Sequence, residues 1–87
     1  MNKLLSLELQ KDILDALLVF HPHRMTADQY FECFGDCDEF QMLANVDALI
    51  GQGLIDDTAI HVCDGEKFIS LGQLKLSKIA LQKARTT

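Results

Sequence analysis

TADQYFECFGDCDEFQMLANVDALIGQG, residues 26–53, is the stretch that decides the fold, because it encodes two helices joined by a very short turn. Thr26 and Gln29 have the spacing of a capping box, in which each side chain accepts the free backbone N–H of the other residue. Gly35 suits the left-handed position just beyond the end of a helix. We therefore predict a helix over about residues 27–34.

A second set of start and stop signals follows in the same stretch. Asp36 and Glu39 form another potential capping box, and acidic residues suit the positive end of a helix dipole. Glycines at 51 and 53 end this second pattern, which predicts a helix over about 37–51 and a turn of about three residues before it. Its inward-facing positions would be Phe40, Leu43, either Val46 or Asp47, and Leu49–Ile50.

The flanking sequence supplies one helix before this stretch and a hairpin and a helix after it. Apolar residues recur at three- and four-residue spacing over about 6–20, which predicts a first helix that ends before Pro22. Beyond Gly53 the apolar period shortens towards two, and Asp64-Gly65 is a strong tight-turn signal, so a hairpin is predicted over about 59–71. Ser77 is a suitable N-cap for a last helix over about 77–85.

The composition is that of one small globular unit. Of the 87 residues, 48% are hydrophobic and 24% are charged, so we predict a single domain over 1–87 of the α+β class, mainly helical. The apolar start of the chain is interrupted by charges from Glu8 onward, and no segment is long enough to span a bilayer. We therefore expect a cytoplasmic location, no membrane partner and reduced cysteines.

Two segments of the chain are similar to known sequence patterns. NVDALIGQGLI, residues 45–55, resembles the end of the third helix of the winged helix-turn-helix superfamily, and LKLSKIAL, residues 74–81, resembles its closing helix. The usual glycine after the lysine is replaced here by Ile79-Ala80. With the order of the elements, the resemblance covers about residues 6–85. It implies three helices, a β-hairpin wing and a C-terminal helix.

The resemblance also implies a way to contact double-stranded DNA. In such transcription regulators the third helix enters the major groove, and the wing touches phosphate or the minor groove. By position, the outward side of the third helix would offer Gln41, Met42, Asn45, Ala48 and Gln52, with Lys67 on the wing and Lys75 and Lys78 nearby. Asn and Gln side chains can pair bidentately with adenine, so Gln41, Asn45 and Gln52 are the candidate base readers.

The charge distribution opposes a simple DNA-binding role. The net charge is −5, with −9 over residues 1–64 and +4 over residues 65–87. The predicted third helix has no basic residue, although affinity for DNA depends mainly on Lys and Arg at phosphates. The alternative is a protein–protein interaction or dimerisation module. A continuous apolar patch with an acidic rim around the third helix would favour it, whereas convergence of Asn45 with the three lysines would favour DNA.

Sharper site hypotheses find little support in the sequence. Cysteines at 33, 37 and 63 and histidines at 21, 23 and 61 lack the paired spacing of a zinc site, and no nucleophile motif accompanies them. We expect no catalytic residues, no metal, no cofactor and no enzyme activity. Aromatic residues of the two central helices, Tyr30, Phe31, Phe34 and Phe40, are expected in the core. Leu4, Leu5, Leu7 and the first and last helices make a homodimer an open possibility.

Overall fold

The computed structural model of the chain describes residues 5–86, with only the backbone for residues 84–86. Within this part, four α-helices flank one antiparallel β-hairpin: α1 (Leu7–Phe20), α2 (Ala27–Phe34), α3 (Glu39–Gly51), β1 (Ile60–Cys63), β2 (Glu66–Ile69) and α4 (Lys78–Thr86). A single 3-10 turn, Asp57–Ala59, leads into β1. The predicted α+β, mainly helical class is confirmed. Leu4, considered above for a dimer, lies outside the described residues.

The core forms where α1 and α3 pack together under the other elements. α1 begins after Ser6, whose hydroxyl oxygen accepts the backbone N–H of Leu9 at 3.2 Å. Its buried apolar side chains recur at four-residue spacing, as expected for one face of a helix. The buried apolar residues of the whole core are Leu9, Ile13, Leu17, Met25, Phe34, Met42, Val46, Leu49, Ile55, Ala59, Leu74 and Leu76.

α2 begins at the predicted signal but ends differently from the prediction. Both hydrogen bonds of the capping box are present, at 2.9 Å and 3.2 Å between Thr26 and Gln29. Gly35, however, has φ −63° and ψ −24°, so the prediction of a left-handed cap there is wrong. The glycine is favoured for a steric reason instead, because a Cβ at this position would collide with the carbonyl oxygen of Phe31.

α3 starts two residues later than predicted. Its N-cap is Asp38, whose carboxylate accepts the backbone N–H of Phe40 at 3.4 Å, and the predicted box at Asp36 is not used. The connection from α2 therefore spans residues 35–38. The short turn remains, and it brings the start of α3 close to the end of α2.

The inward face of α3 is also different from the predicted one. The buried residues are Met42, Asn45, Val46 and Leu49. Phe40, predicted to point inward, is 70% exposed, and Leu43 is half-buried. The helix is rotated relative to the predicted stripe because Met42 and Asn45 occupy the side that faces α1.

The hairpin follows the predicted turn chemistry. Asp64 and Gly65 have φ values of 53° and 82°, so both occupy the left-handed region that a two-residue hairpin turn of this type requires. In the register of the two strands, Ile60 pairs with Ile69 and Cys63 with Glu66. The base of the hairpin is held by an isolated bridge between Ile55 and Leu76, which ties the end of α3 to the start of α4.

Candidate α3–hairpin interface

Asn45, the central candidate for base reading, is buried. It has no exposed surface, so the prediction that it lies on the outward side of the third helix is wrong. Its Oδ1 accepts the Ser6 backbone N–H at 2.8 Å and the Gln10 side-chain amide at 3.0 Å. Its Nδ2 donates to the Gln41 carbonyl oxygen at 2.7 Å. Asn45 thus joins α1 to α3, and in this conformation it offers no atom to a base edge.

Other residues from the predicted outward side also belong to the α1 side of α3. Met42 is 1% exposed, which corrects its prediction as an outward residue. Gln52 is exposed, but its amide donates to Gln10 Oε1 at 3.2 Å, so it extends the Asn45 network. Gln41 is half-buried. The side-chain amides of Asn45 and Gln52 are therefore both bonded to residues at or in α1.

The three candidate lysines do not gather beside Asn45. Lys67 is exposed near the tip of the hairpin, where it faces α3 across a shallow hollow. Lys75 is half-buried and lines a separate cleft with His21 and Arg24. Lys78 is exposed at the start of α4. Of the three candidate lysines, Lys67 alone lies beside the side of α3 that faces the hairpin.

The open side of α3 and the hairpin together form two adjacent hollows, which we call the α3–hairpin surface. The first, the hairpin hollow, has a volume of about 510 Å³ and is lined by Glu39, Phe40, Leu43, Ala44, Asp47, Gly65, Glu66, Lys67 and Phe68. The second, the aromatic hollow, has a volume of about 350 Å³ and is lined by Tyr30, Phe31, Phe34, Gly35, Cys37, Glu39, Phe68, Ile69 and Leu71. Both hollows are bordered by Glu39 and Phe68.

Aromatic side chains are concentrated on this surface. The chain has six aromatic residues, one Tyr and five Phe, and all except Phe20 line one of the two hollows. Phe31 and Phe40 are 68% and 70% exposed, so the prediction that these two side chains are in the core is wrong. The ring of Tyr30 contacts two of the others, with centroid distances of 6.2 Å to Phe31 and 5.9 Å to Phe34.

The charges around these rings are almost all negative. Residues 25–66 include ten Asp and Glu residues and neither Lys nor Arg. Exposed Glu39, Asp47 and Glu66 line the hairpin hollow, and among the described lining residues Lys67 is the only cation. The pKa of Tyr30 is raised above its usual value, first by burial and then by electrostatic interaction with the nearby Glu39 and Cys37. The aromatic hollow therefore has a local environment that disfavours a further negative charge.

The described residues also bear on the predictions about metal binding, thiols and membrane spans. Within them, no three or more His, Cys, Asp or Glu side chains are grouped so that they could hold a metal ion. Cys33 and Cys63 are exposed and Cys37 is half-buried, all three as free thiols. No helix in this part of the chain combines the length and the apolar character needed to cross a membrane.

A second group of exposed apolar side chains lies on α1 and α4. Leu7, Val19 and Ile79 are 82%, 77% and 55% exposed. A homodimer through these helices stays a prediction. Val19 lies on α1 and lines neither hollow, so it can serve as an exposed apolar control for residues of the α3–hairpin surface.

The sequence did not reveal the α3–hairpin surface, because its periodicity placed Phe40 and Leu43 on the inward side of the helix and Met42 on the outward side. A signal was available, since α3 has more apolar residues than one face holds: Phe40, Met42, Leu43, Ala44, Val46, Ala48, Leu49 and Ile50. A helix that is apolar on two sides has a second surface to cover.

No protein-family model, no curated protein and no solved structure matches this chain.

Proposed function

We propose that this chain is a winged-helix domain that binds a protein partner through the α3–hairpin surface. The assignment to winged helices is supported by the order of three helices, hairpin and closing helix, and by the short connection between α2 and α3. In this interpretation α3 is the helix that such domains use for recognition, and the β1–β2 hairpin is the wing.

The observation that favours a protein partner is the exposed aromatic cluster on α3 and its neighbours. Phe31 and Phe40 leave about two-thirds of their surfaces in water, and Phe68 is 42% exposed. A contiguous apolar patch with a polar rim is typical of protein-binding sites. Full burial of one such side chain contributes about 1.5–3 kcal/mol, so Phe40 alone is an adequate anchor for a partner.

The partner is expected to combine apolar and basic side chains. Exposed Glu39, Asp47 and Glu66 surround the apolar floor of the hairpin hollow. Opposite charges at the rim of an interface speed association and select against acidic competitors. A segment with an apolar residue flanked by Lys or Arg meets both requirements.

Direct DNA binding by Gln41, Gln52, Lys67, Lys75 and Lys78 stays a prediction with weaker support. Sequence-independent affinity for DNA requires several phosphate contacts from cations. Among the described residues, the open side of α3 has one cation in its lining, Lys67, with acidic neighbours at Glu39 and Glu66. The surface that a major-groove reader would insert is therefore apolar and acidic.

A random-peptide selection against the full chain tests the proposal. Peptides are enriched on the wild type and then measured on Phe40→Ser, with Val19→Ser as the matched control, because both residues are exposed apolar side chains on helices. We expect Phe40→Ser to weaken the enriched peptides about tenfold or more, which corresponds to roughly 1.4 kcal/mol, and Val19→Ser to leave their affinity unchanged. Circular dichroism should show both variants folded.

Two outcomes contradict this function. One is a set of enriched peptides whose affinity is the same for the wild type and for Phe40→Ser. The other is salt-sensitive binding of a mixed-sequence DNA duplex that is lost when Lys67, Lys75 and Lys78 are all replaced by Gln, because that result assigns the domain to DNA.

A further inference from the structure

The aromatic hollow differs from the hairpin hollow in what its walls can bind. Four of its lining side chains are aromatic: Tyr30, Phe31, Phe34 and Phe68. Among the lining residues that the structure describes, the only carboxylate is that of Glu39, and neither Lys nor Arg is present. We propose that this hollow binds a guanidinium group, supplied by an arginine of the docked partner. The inference rests on the proposed function for the partner, but the hollow and its chemistry can be tested separately.

Aromatic faces attract cations and favour arginine in particular. A cation over a ring is attracted by the negative face of the ring, and the planar guanidinium also stacks on it. Phe31 and Phe68 expose enough of their rings to receive such a group, since they are 68% and 42% exposed. The edge-to-face geometry of Tyr30 and Phe31, with an angle of 81° between the rings, turns two differently oriented walls toward the hollow.

Glu39 supplies the opposite charge at the edge of the same hollow. It is exposed and has not been drawn into the core, so its carboxylate is accessible to a ligand. A carboxylate and a guanidinium form paired, charge-assisted hydrogen bonds that an ammonium cannot reproduce. Burial is the main cause of the raised pKa of Tyr30, and the second cause is the charge of Glu39, which places this carboxylate near the Tyr30 hydroxyl.

The shared border of the two hollows sets the form of the partner. Glu39 and Phe68 line both hollows, so a group in one lies next to a group in the other. One short segment can therefore place an apolar side chain beside Phe40 in the hairpin hollow and an adjacent arginine in the aromatic hollow. The partner that fits is a peptide segment in which an arginine is next to a bulky apolar residue.

The test uses N-acetyl-arginine methylamide as the probe, with N-acetyl-citrulline methylamide as its neutral analogue of nearly the same shape. Binding to the full chain is followed by amide NMR and by the pKa of Tyr30. The chain has one Tyr and no Trp, so the near-ultraviolet tyrosinate absorbance reports on Tyr30 alone. We expect the arginine probe to shift amides around the aromatic hollow and to lower the pKa of Tyr30, because its charge offsets that of Glu39. The citrulline probe should do neither.

Variants separate a binding role from a structural one. We expect Glu39→Gln and Phe31→Ala each to weaken the arginine probe by about threefold to tenfold. Glu66→Gln is the matched control, because Glu66 is an exposed carboxylate that lines only the hairpin hollow, and it should leave the affinity within about twofold. Equal binding of arginine and citrulline, or equal loss in Glu39→Gln and Glu66→Gln, would overturn the inference.

The peptides from the selection described above distinguish the two proposals. If they depend on Phe40 and carry arginine beside an apolar residue, both proposals are supported. If they depend on Phe40 but lack arginine, and the arginine probe does not bind, the guanidinium site is wrong while the docking surface stands. If the arginine probe binds but no peptide depends on Phe40, the protein-docking function is overturned and the guanidinium site stands without it.

Discussion

Asn45 shows how one polar residue fixes the relation between two helices. Its amide is fully buried, yet both its oxygen and its nitrogen have hydrogen-bond partners on α1 or within α3. Among the described residues no buried side-chain nitrogen or oxygen lacks a partner. A buried polar group of this kind stabilises one arrangement of the helices, because any other arrangement leaves it unsatisfied.

At this scale, we expect Asn45→Ala to lower the free energy of unfolding by about 1–3 kcal/mol. The substitution leaves the Ser6 backbone N–H and the Gln10 amide without their acceptor in a buried place. Urea denaturation provides the measurement.

Gln41→Ala is the matched control on the same helix. In the Asn45 network Gln41 contributes only its backbone carbonyl, so we expect a change within about 0.5 kcal/mol. An Asn45→Ala variant as stable as Gln41→Ala would mean that the network does not hold α1 and α3 together.

The sequence shows an asparagine at position 45, but it does not show whether this residue faces water or the core. An asparagine on a helix is equally compatible with a water-exposed face and with a buried network, and only the presence of Gln10 opposite decides between them. That partner is 35 residues away in the chain, and the pairing depends on how α1 crosses α3. Local signals were more informative, because the Thr26–Gln29 box and the Asp64-Gly65 turn depend only on neighbours in the chain.

Among the elements, α3 has two apolar sides, one buried in the core and one that lines the hairpin hollow. Met42, Val46 and Leu49 pack against the core, whereas Phe40 and Leu43 border the hairpin hollow. Periodicity alone assigned Phe40 and Leu43 to the core, since apolar residues in α3 fit more than one helical stripe. The face of α3 that is buried depends on its packing against α1, where Asn45 bonds to Ser6 and Gln10.

Paired alanine substitutions test this rotation. We expect Phe40→Ala to change the free energy of unfolding by no more than about 0.5 kcal/mol, because the ring is 70% exposed. Met42→Ala should cost about 2–5 kcal/mol, because it removes a side chain that is 1% exposed from the core. Thermal or urea unfolding of the two variants gives the comparison. A larger loss of unfolding free energy in Phe40→Ala than in Met42→Ala would mean that Phe40 faces the core, as the sequence predicted.

For the whole molecule, the distribution of charge and aromatic surface separates two sides of the fold. The α3–hairpin surface combines exposed Phe rings with Glu39, Asp47 and Glu66. Lys75 and Arg24 lie in a different cleft, beside the end of α1. The acidic excess was readable from the sequence, but its coincidence with exposed aromatic rings depends on the tertiary fold. We propose that this combination of exposed rings and acidic residues serves a protein partner.

The most direct test of this account is an amide NMR titration of the isotope-labelled full chain, first with the tightest peptide from the selection and then with a mixed-sequence DNA duplex at low salt. We expect the peptide to shift amides of residues 39–47 and 65–68, and the duplex to leave the same amides unchanged. Shifts at these positions with DNA, or peptide-induced shifts confined to α1, α4 or the cleft around Lys75, would contradict the assignment of the α3–hairpin surface to a protein partner.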